Sequence, residues 1–202
     1  MSAYPIVLDG SSVRAVVVGG GEVAARKVFA LLDAGADVHV VAPKISAQIE
    51  AASDHHSLCV TRAEYTATHL ADATLVFAAT DDATINAQIA NDARQAGRLV
   101  NVVNAPGSGD FVTPAVHRSG DVVVAVVAGG VPKAAARIRD LIAQSIDQRY
   151  GAAIGALSVL RRELLKRGDR DTWRDASSDL LGPSFSEDVE SGRIAERMDR
   201  WR

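Results

Sequence analysis

A run of β-branched residues that ends in three glycines constrains the fold of this 202-residue chain more than any other feature. Residues 13–18 read VRAVVV, a pattern typical of a short strand buried on both faces. After the glycines, residues 22–34 place apolar side chains at helical spacing. Gly19, Gly21 and Ala24 therefore match the motif G-x-G-x-x-A between a predicted strand and a predicted helix.

This motif predicts a site for the pyrophosphate of a dinucleotide. Gly19 permits a tight turn, Gly21 lets the backbone approach the anion, and Ala24 is small enough for close packing of helix on strand. Free N–H groups and the helix dipole at the start of the helix favour the negative charge. A glycine-rich turn that binds no ligand is the alternative interpretation.

The rest of the chain divides into three predicted regions. Strands are predicted at 13–18, 37–41, 58–60, 73–79 and 99–103, with helices at 22–34, 45–52 and 83–96. Their alternation predicts βαβ units, and hence a Rossmann-like, doubly wound parallel sheet of the α/β class over residues 1–113. A strand at 122–127 and a helix at 134–150 predict a small α+β dimerisation segment over residues 114–148, and residues 149–202 predict a helical C-terminal region.

The composition excludes several classes of protein. One cysteine, Cys59, rules out an intramolecular disulfide framework and a cysteine-based zinc finger. A formal charge of −3 and 4% aromatic residues argue against nucleic-acid binding. The longest apolar stretch, residues 122–131, has half of the roughly 20 residues that a membrane-spanning helix needs. We therefore expect a cytoplasmic protein with neither a nucleic-acid nor a membrane partner, and no metal ligand set.

The segment after the second predicted strand lacks a residue that NAD sites usually have. An Asp or Glu about 20 residues after the glycine motif normally bonds the ribose 2′-hydroxyl. Here the segment is Ala42, Pro43 and Lys44. Lys44 has the charge to meet a 2′-phosphate, so NADP stays open beside NAD. A solvated surface lysine is the other interpretation.

With these residues in view, the chain resembles the precorrin-2 dehydrogenase part of siroheme synthase over residues 4 to 145. The segments that carry the resemblance are GGGEVAARK at 19–27, FAATDD at 77–82 with Asn86, NVVNAP at 101–106 with Phe111, Pro114 and Ala115, and Gly129–Gly130 with Ala136 and Arg137. The resemblance implies a homodimeric enzyme of siroheme biosynthesis. It implies oxidation of precorrin-2 to sirohydrochlorin with NAD as hydride acceptor, and, in some members, insertion of ferrous iron.

The resemblance also implies which residues contact NAD. They are Glu22, Val23, Pro43, Lys44, Thr80 and Asp81. Thr80 and Asp81 are expected on the nicotinamide side, at the end of the fourth strand. Ligands of parallel sheets bind at the carboxyl ends of the strands, which agrees with all six positions. Asp82 is interpreted instead as the cap of the next helix.

The loop after the fifth predicted strand, which the resemblance associates with catalysis, departs from the family pattern. Many members carry an aspartate, their proposed base and metal-handling group, where this chain has Asn104, and an amide accepts no proton at neutral pH. Asn104 can still hydrogen-bond a pyrrole N–H or the nicotinamide. Asp110 is a candidate substitute base, with a turn aspartate bonded to its own backbone as the alternative. His117 is a candidate general base or metal ligand, although one histidine makes no metal site.

A second departure lies around the paired glycines Gly129 and Gly130. Ala128 stands where the family usually has a hydroxyl residue, and Pro132–Lys133 replaces its Ser-Pro. The substrate of the family carries many carboxylates, and three cations near this turn are candidates to pair with them. They are Arg118, Lys133 and Arg137. Ordinary solvated charges are the alternative for each.

Three functional alternatives stay open beside the dehydrogenase. A bifunctional dehydrogenase and ferrochelatase would need a metal-handling group, against which Asn104 argues. A nucleotide-binding regulatory module would need an acidic residue at position 42 and a basic attached domain, and neither is present. A non-catalytic paralogue that binds NAD or a tetrapyrrole is kept open by the altered residues 128–133. The homodimer is supported by one apolar helix face, comprising Ile138, Leu141, Ile142 and Ile146.

Overall fold

A computed structural model describes residues 3–202 of the protein. The chain divides into two compact units, Met1–Thr113 and Pro114–Arg202, and each is described by itself. Within the described residues, no helix combines the length and the apolar character that crossing a membrane requires.

The first unit is a five-stranded parallel sheet. Its strands are β1 (Arg14–Val18), β2 (Asp37–Val41), β3 (Leu58–Thr61), β4 (Leu75–Ala78) and β5 (Leu99–Val102). Their order is β3-β2-β1-β4-β5, which confirms the doubly wound, Rossmann-like α/β class. The strand order reverses at β1, so the crevice where such sheets bind ligands opens at the carboxyl ends of β1 and β4.

Helices cover both faces of this sheet. The first two are α1 (Glu22–Leu32) and α2 (Ala47–Ala51), and the third is α3 (Ala83–Gln95). Val17 and Val40 pack on one face with Val28 of α1, whereas Val16 packs on the other face with Ile89 of α3. Burial on both faces explains why the strands are continuous runs of β-branched residues rather than alternating patterns.

The second unit begins with an antiparallel hairpin and continues as helices. The hairpin pairs β6 (Ala115–Ser119) with β7 (Val122–Val126). The helices are α4 (Pro132–Ser145), α5 (Gln148–Lys166), α6 (Arg170–Leu180), α7 (Phe185–Ser191) and α8 (Ile194–Asp199). Side chains of α5, such as Leu157 and Leu160, form a core with Leu180, Val189 and Met198.

Two sequence-based predictions in this unit were wrong. The helix predicted at 134–150 is broken, because α4 ends at Ser145 and Asp147 caps α5 by accepting a hydrogen bond from the Arg149 N–H at 2.9 Å. Strand β6 was missed, because its alternation of half-buried and exposed residues includes His117 and Arg118 and carries no β-branched run.

A close backbone contact joins α5 to the hairpin. A Cβ on Gly151 would lie 2.4 Å from the carbonyl oxygen of Ser119. The Gly151 N–H donates to the Ser119 hydroxyl at 3.1 Å, and that hydroxyl donates to the Asp147 carbonyl at 2.5 Å. Only a glycine allows the helix to approach the hairpin this closely.

We therefore expect Gly151→Ala to destabilise the protein by about 1–3 kcal/mol, because the added methyl overpacks this contact. Gly155→Ala on the same helix is the matched control, since a Cβ there meets nothing within 4 Å. It should stabilise by about 0.5–1 kcal/mol through helix propensity. Urea denaturation of both variants measures the difference, and equal stabilities would contradict the packing argument.

Candidate functional site

The glycine motif forms the turn from β1 into α1, and its three glycines differ in what a side chain would meet at each position. Gly19 has φ of 129°, and a Cβ there would lie 2.3 Å from the Ala79 carbonyl oxygen. A Cβ on Gly20 would lie 1.9 Å from the Lys44 carbonyl oxygen. The fold itself therefore requires the first two glycines. A Cβ on Gly21 meets nothing within 4 Å, so the fold does not require the third.

The space beside Gly21 lies at the start of α1. Gly21 is the N-cap, and no side chain caps the helix there. Glu22 and Val23 form the first turn, whose N–H groups have no intrahelical acceptor. Ala24 is fully buried, as close packing of helix on strand requires. Open space beside free N–H groups is what a pyrophosphate needs, so the residues present fit a dinucleotide.

The end of β2 lies against this turn. Ser46 donates its N–H to the Gly20 carbonyl at 2.7 Å and then caps α2. Pro43 and Lys44 are exposed on the same edge of the sheet, and Ala42 is buried. No acidic side chain therefore stands at the usual ribose position, as the sequence indicated.

The segment after β4 carries a polar cluster held together by several hydrogen bonds. Thr80 donates its N–H at 3.1 Å and its hydroxyl at 2.7 Å to the Asn86 side-chain oxygen. The Asn86 amide donates back to the Thr80 carbonyl at 3.0 Å. Asp81 is exposed, whereas Asp82 caps α3 by accepting from the Thr84 N–H at 2.7 Å, as expected.

The loop after β5 holds Asn104 and Asp110, which differ in their hydrogen bonding. Asn104 is an exposed turn residue. The carboxylate of Asp110 accepts from the Arg94 Nε at 3.1 Å and from the Val100 N–H at 3.0 Å. Each oxygen of Asp110 thus accepts one structural hydrogen bond, and its role as a substitute base stays a prediction. The expected bond to its own turn is wrong, because its partners lie on α3 and β5.

In the second unit, His117 has a structural partner. Its Nε2 donates to the Ile146 carbonyl at 2.6 Å, which ties β6 to the end of α4. Among residues 3–202, no group of three or more His, Cys, Asp or Glu side chains is arranged to hold a metal ion. The hydrogen bond to Ile146 gives His117 a structural role in the second unit.

The other candidates of the second unit surround one glycine turn. Gly129 and Gly130 have φ of 52° and 78°, and the Val131 N–H donates to the Ala128 carbonyl at 2.7 Å. Lys133 follows in the first turn of α4. Arg137 lies four residues further on the same side of the helix, and both side chains are exposed. Neither forms an ion pair within residues 3–202, and the same holds for exposed Arg118 on β6.

Two residues of the first unit with distinctive side-chain contacts entered the sequence analysis only as part of the family resemblance. Asn86 is one. Its three hydrogen bonds to Thr80, called here the Asn86 clamp, leave no signal in hydropathy or spacing. Lys27 of α1 is the other. Its Nζ donates to the Thr113 hydroxyl at 2.5 Å, and burial together with the charge of Arg26 lowers the pKa of Lys27.

A family model described as "Putative NAD(P)-binding" matches residues 6–115, more than half of the chain, and includes the glycine turn. The chain belongs to this NAD(P)-binding family. The match covers all five parallel strands and the polar ends that face the crevice.

Relatives of this family member extend the similarity to the second unit. Siroheme synthase of Nitrosococcus oceani is 37% identical and covers 98% of this chain, which spans 41% of that protein. Siroheme synthase of Nitrosospira multiformis is 38% identical over 96% of this chain and 42% of its own length. The fold resembles "SirC, precorrin-2 dehydrogenase", with a TM-score of 0.76, 24% identity, and coverage of 98% of this chain and 100% of that one.

We expect Gly21→Ala to fold with a stability loss of at most about 1 kcal/mol, the cost of alanine at an N-cap. It should bind NAD at least tenfold more weakly, because the methyl fills space that the fold leaves open. Gly19→Ala is the contrasting variant, since its positive φ and its contact with Ala79 should lower stability. Thermal denaturation and calorimetric titration with NAD measure both effects. Undiminished NAD binding by Gly21→Ala would show that the pyrophosphate lies elsewhere.

Proposed function

We propose that the protein oxidises precorrin-2 to sirohydrochlorin with NAD as the hydride acceptor. The observation that carries the proposal is the uncapped start of α1 beside Gly21, next to the clamped Thr80 turn at the reversal of strand order. Two relatives named siroheme synthase match nearly the whole chain, although the chain spans only about two fifths of their length. The name of the structural neighbour, precorrin-2 dehydrogenase, agrees with the proposal.

The residues of the first unit would hold the cofactor along one edge of the sheet. NAD supplies the hydride acceptor when bound, and the protein supplies position. The N–H groups of Glu22 and Val23 would bind the pyrophosphate, while Pro43 and Lys44 flank the adenosine ribose. Thr80 and Asp81 would line the nicotinamide side. Each group belongs to the end of a packed strand or the start of a packed helix, which keeps the arrangement rigid.

The residues of the second unit suit a polycarboxylate substrate. Lys133 and Arg137 are exposed cations without an ion-pair partner in residues 3–202, and Arg118 is a third. Charge-assisted hydrogen bonds to carboxylates are the strongest contacts that such side chains make. Gly129 and Gly130 leave the turn without side chains, and Ala128 adds no hydroxyl. We assign this turn and these cations to substrate binding.

The oxidation removes a hydride and a proton from the substrate. The hydride would pass to the bound cofactor, and water or another side chain would accept the proton. Asp110 and His117 each have a structural partner, since Asp110 accepts from Arg94 and Val100 and His117 donates to Ile146. Asn104, exposed on the loop after β5, would orient the substrate or the nicotinamide through its amide rather than act as a base.

An anaerobic assay with purified protein, precorrin-2 and NAD tests the proposal. We expect sirohydrochlorin absorbance to appear only when NAD is present. Tight NAD binding without turnover would instead support the paralogue that binds without oxidising. Failure to bind NAD at all would contradict the proposal at its first step.

A ferrous-ion arm of the same assay addresses the bifunctional alternative. Because Asn104 lacks the carboxylate of the family pattern, ferrous ion should cause little further spectral change. Asn104→Asp should leave NAD affinity unchanged while raising any metal insertion. The cytoplasmic location expected from the sequence stays a prediction.

We also propose that the protein is a homodimer that pairs through its second unit. Large apolar side chains are exposed along the hairpin and α4 of this unit. They are Val116, Val123, Val127, Val131, Ile138 and Leu141. Exposed apolar side chains that lie together mark an interaction site. Ile138 and Leu141 lie three residues apart on α4 and therefore share one face of that helix. Ile146 was expected on the same face, but it packs partly against the core of α5.

We expect a dimer in sedimentation at micromolar concentration, and a monomer when Ile138 and Leu141 are both replaced by Glu, because charges oppose burial of this surface. Val159→Glu is the matched control, since Val159 is 40% exposed on α5, outside the proposed surface. The wild type sedimenting as a monomer, or dissociation by the control, would rule out this interface.

A further inference from the structure

We propose that Asn86 is a positioning residue that holds the nicotinamide end of the cofactor site through Thr80. This inference rests on the proposed function. Asn86 lies on α3 and is 3% exposed, so it reaches the site only through the residues that it contacts. Three hydrogen bonds join it to Thr80, which follows the end of β4.

The clamp satisfies every polar group of Thr80. The Asn86 Oδ1 accepts from the Thr80 N–H and from its hydroxyl, and the Nδ2 donates to the Thr80 carbonyl. The hydroxyl also contacts the Asp82 carbonyl at 3.0 Å. The turn that would meet the nicotinamide is thus held by one buried amide before any ligand binds, which lowers the ordering cost of binding.

The Thr80 turn also lies against the glycine motif. A Cβ on Gly19 would lie 2.3 Å from the Ala79 carbonyl oxygen and 3.1 Å from the Thr80 nitrogen. A shift of Thr80 would therefore alter the gap between the pyrophosphate turn and the nicotinamide side. Buried Asn86 on α3 fixes this distance, because it holds Thr80 in place.

Among side-chain groups of this size, an amide provides both the acceptor and the donor that the Asn86 clamp uses. An amide offers a donor and an acceptor at once, and Thr80 uses both. A carboxylate has the same shape but only accepts, so it would face the Thr80 carbonyl without a proton between them. Asn86→Asp therefore loosens the turn without opening a cavity.

The test compares two ligands on Asn86→Asp. NAD carries the nicotinamide, whereas ADP-ribose retains the pyrophosphate and both riboses and lacks the ring. We expect Asn86→Asp to bind NAD about tenfold more weakly while ADP-ribose binds unchanged, because one buried hydrogen bond to the turn is lost. In the assay with precorrin-2, kcat should fall more than KM for NAD rises. Calorimetry and steady-state kinetics supply the two readouts.

Asn101→Asp is the matched control. Asn101 is 6% exposed on β5, and its Nδ2 donates to the Phe111 carbonyl at 2.8 Å, so the same substitution buries a carboxylate in the same unit. It should lower stability while leaving the ratio of the NAD and ADP-ribose dissociation constants unchanged. If Asn86→Asp does not fold, Thr80→Val replaces it. This change removes the hydroxyl bond to Asn86 together with the hydroxyl contacts to the Asp82 backbone, keeps the two backbone bonds of Thr80 to Asn86, and should shift the same ratio less.

The outcomes distinguish a positioning role of Asn86 from a purely structural one. Equal weakening of NAD and ADP-ribose binding by Asn86→Asp would make Asn86 a residue of the fold alone and overturn the inference. An unchanged ratio in Thr80→Val, or a changed ratio in Asn101→Asp, would also overturn it. Failure of the wild type to bind NAD would instead overturn the proposed function, so the two failures are distinguishable.

Discussion

The structure of the first unit depends on backbone packing at one point, where the turn after β1 touches the segments that follow β2 and β4. Gly19 and Gly20 make this contact possible, because any side chain there would meet the carbonyl oxygens of Ala79 and Lys44. The contact brings three strand ends together at the reversal of strand order. A dinucleotide site follows from it, since the free end of α1 opens into the same space.

Three titratable residues at or near the candidate positions have structural partners within their own unit. Asp82 caps α3, Asp110 joins α3 and β5, and His117 joins β6 to α4. The exposed cations Lys133 and Arg137, which we propose to bind the substrate, form no ion pair within residues 3–202.

Prediction from sequence succeeded where local signals and global packing agreed. The glycine motif stands between a strand and a helix as expected, and Asp82 caps the predicted helix. It failed where the pattern was weak or interrupted. Strand β6 alternates polar and apolar residues, and a capping aspartate at 147 breaks a segment that looks helical throughout. The partners of Asp110 were missed because they lie 10 and 16 residues away.

The sequence by itself determined the fold class, the position of the glycine turn and the family resemblance, because periodicity and glycine spacing act over a few residues. Only the tertiary structure decided which polar residues are free. The clamp of Asn86 on Thr80, the bonds that engage Asp110 and His117, and the open space at Gly21 all depend on segments brought together by the sheet. Local pattern carries no information about such contacts, because their geometry exists only after the strands have paired.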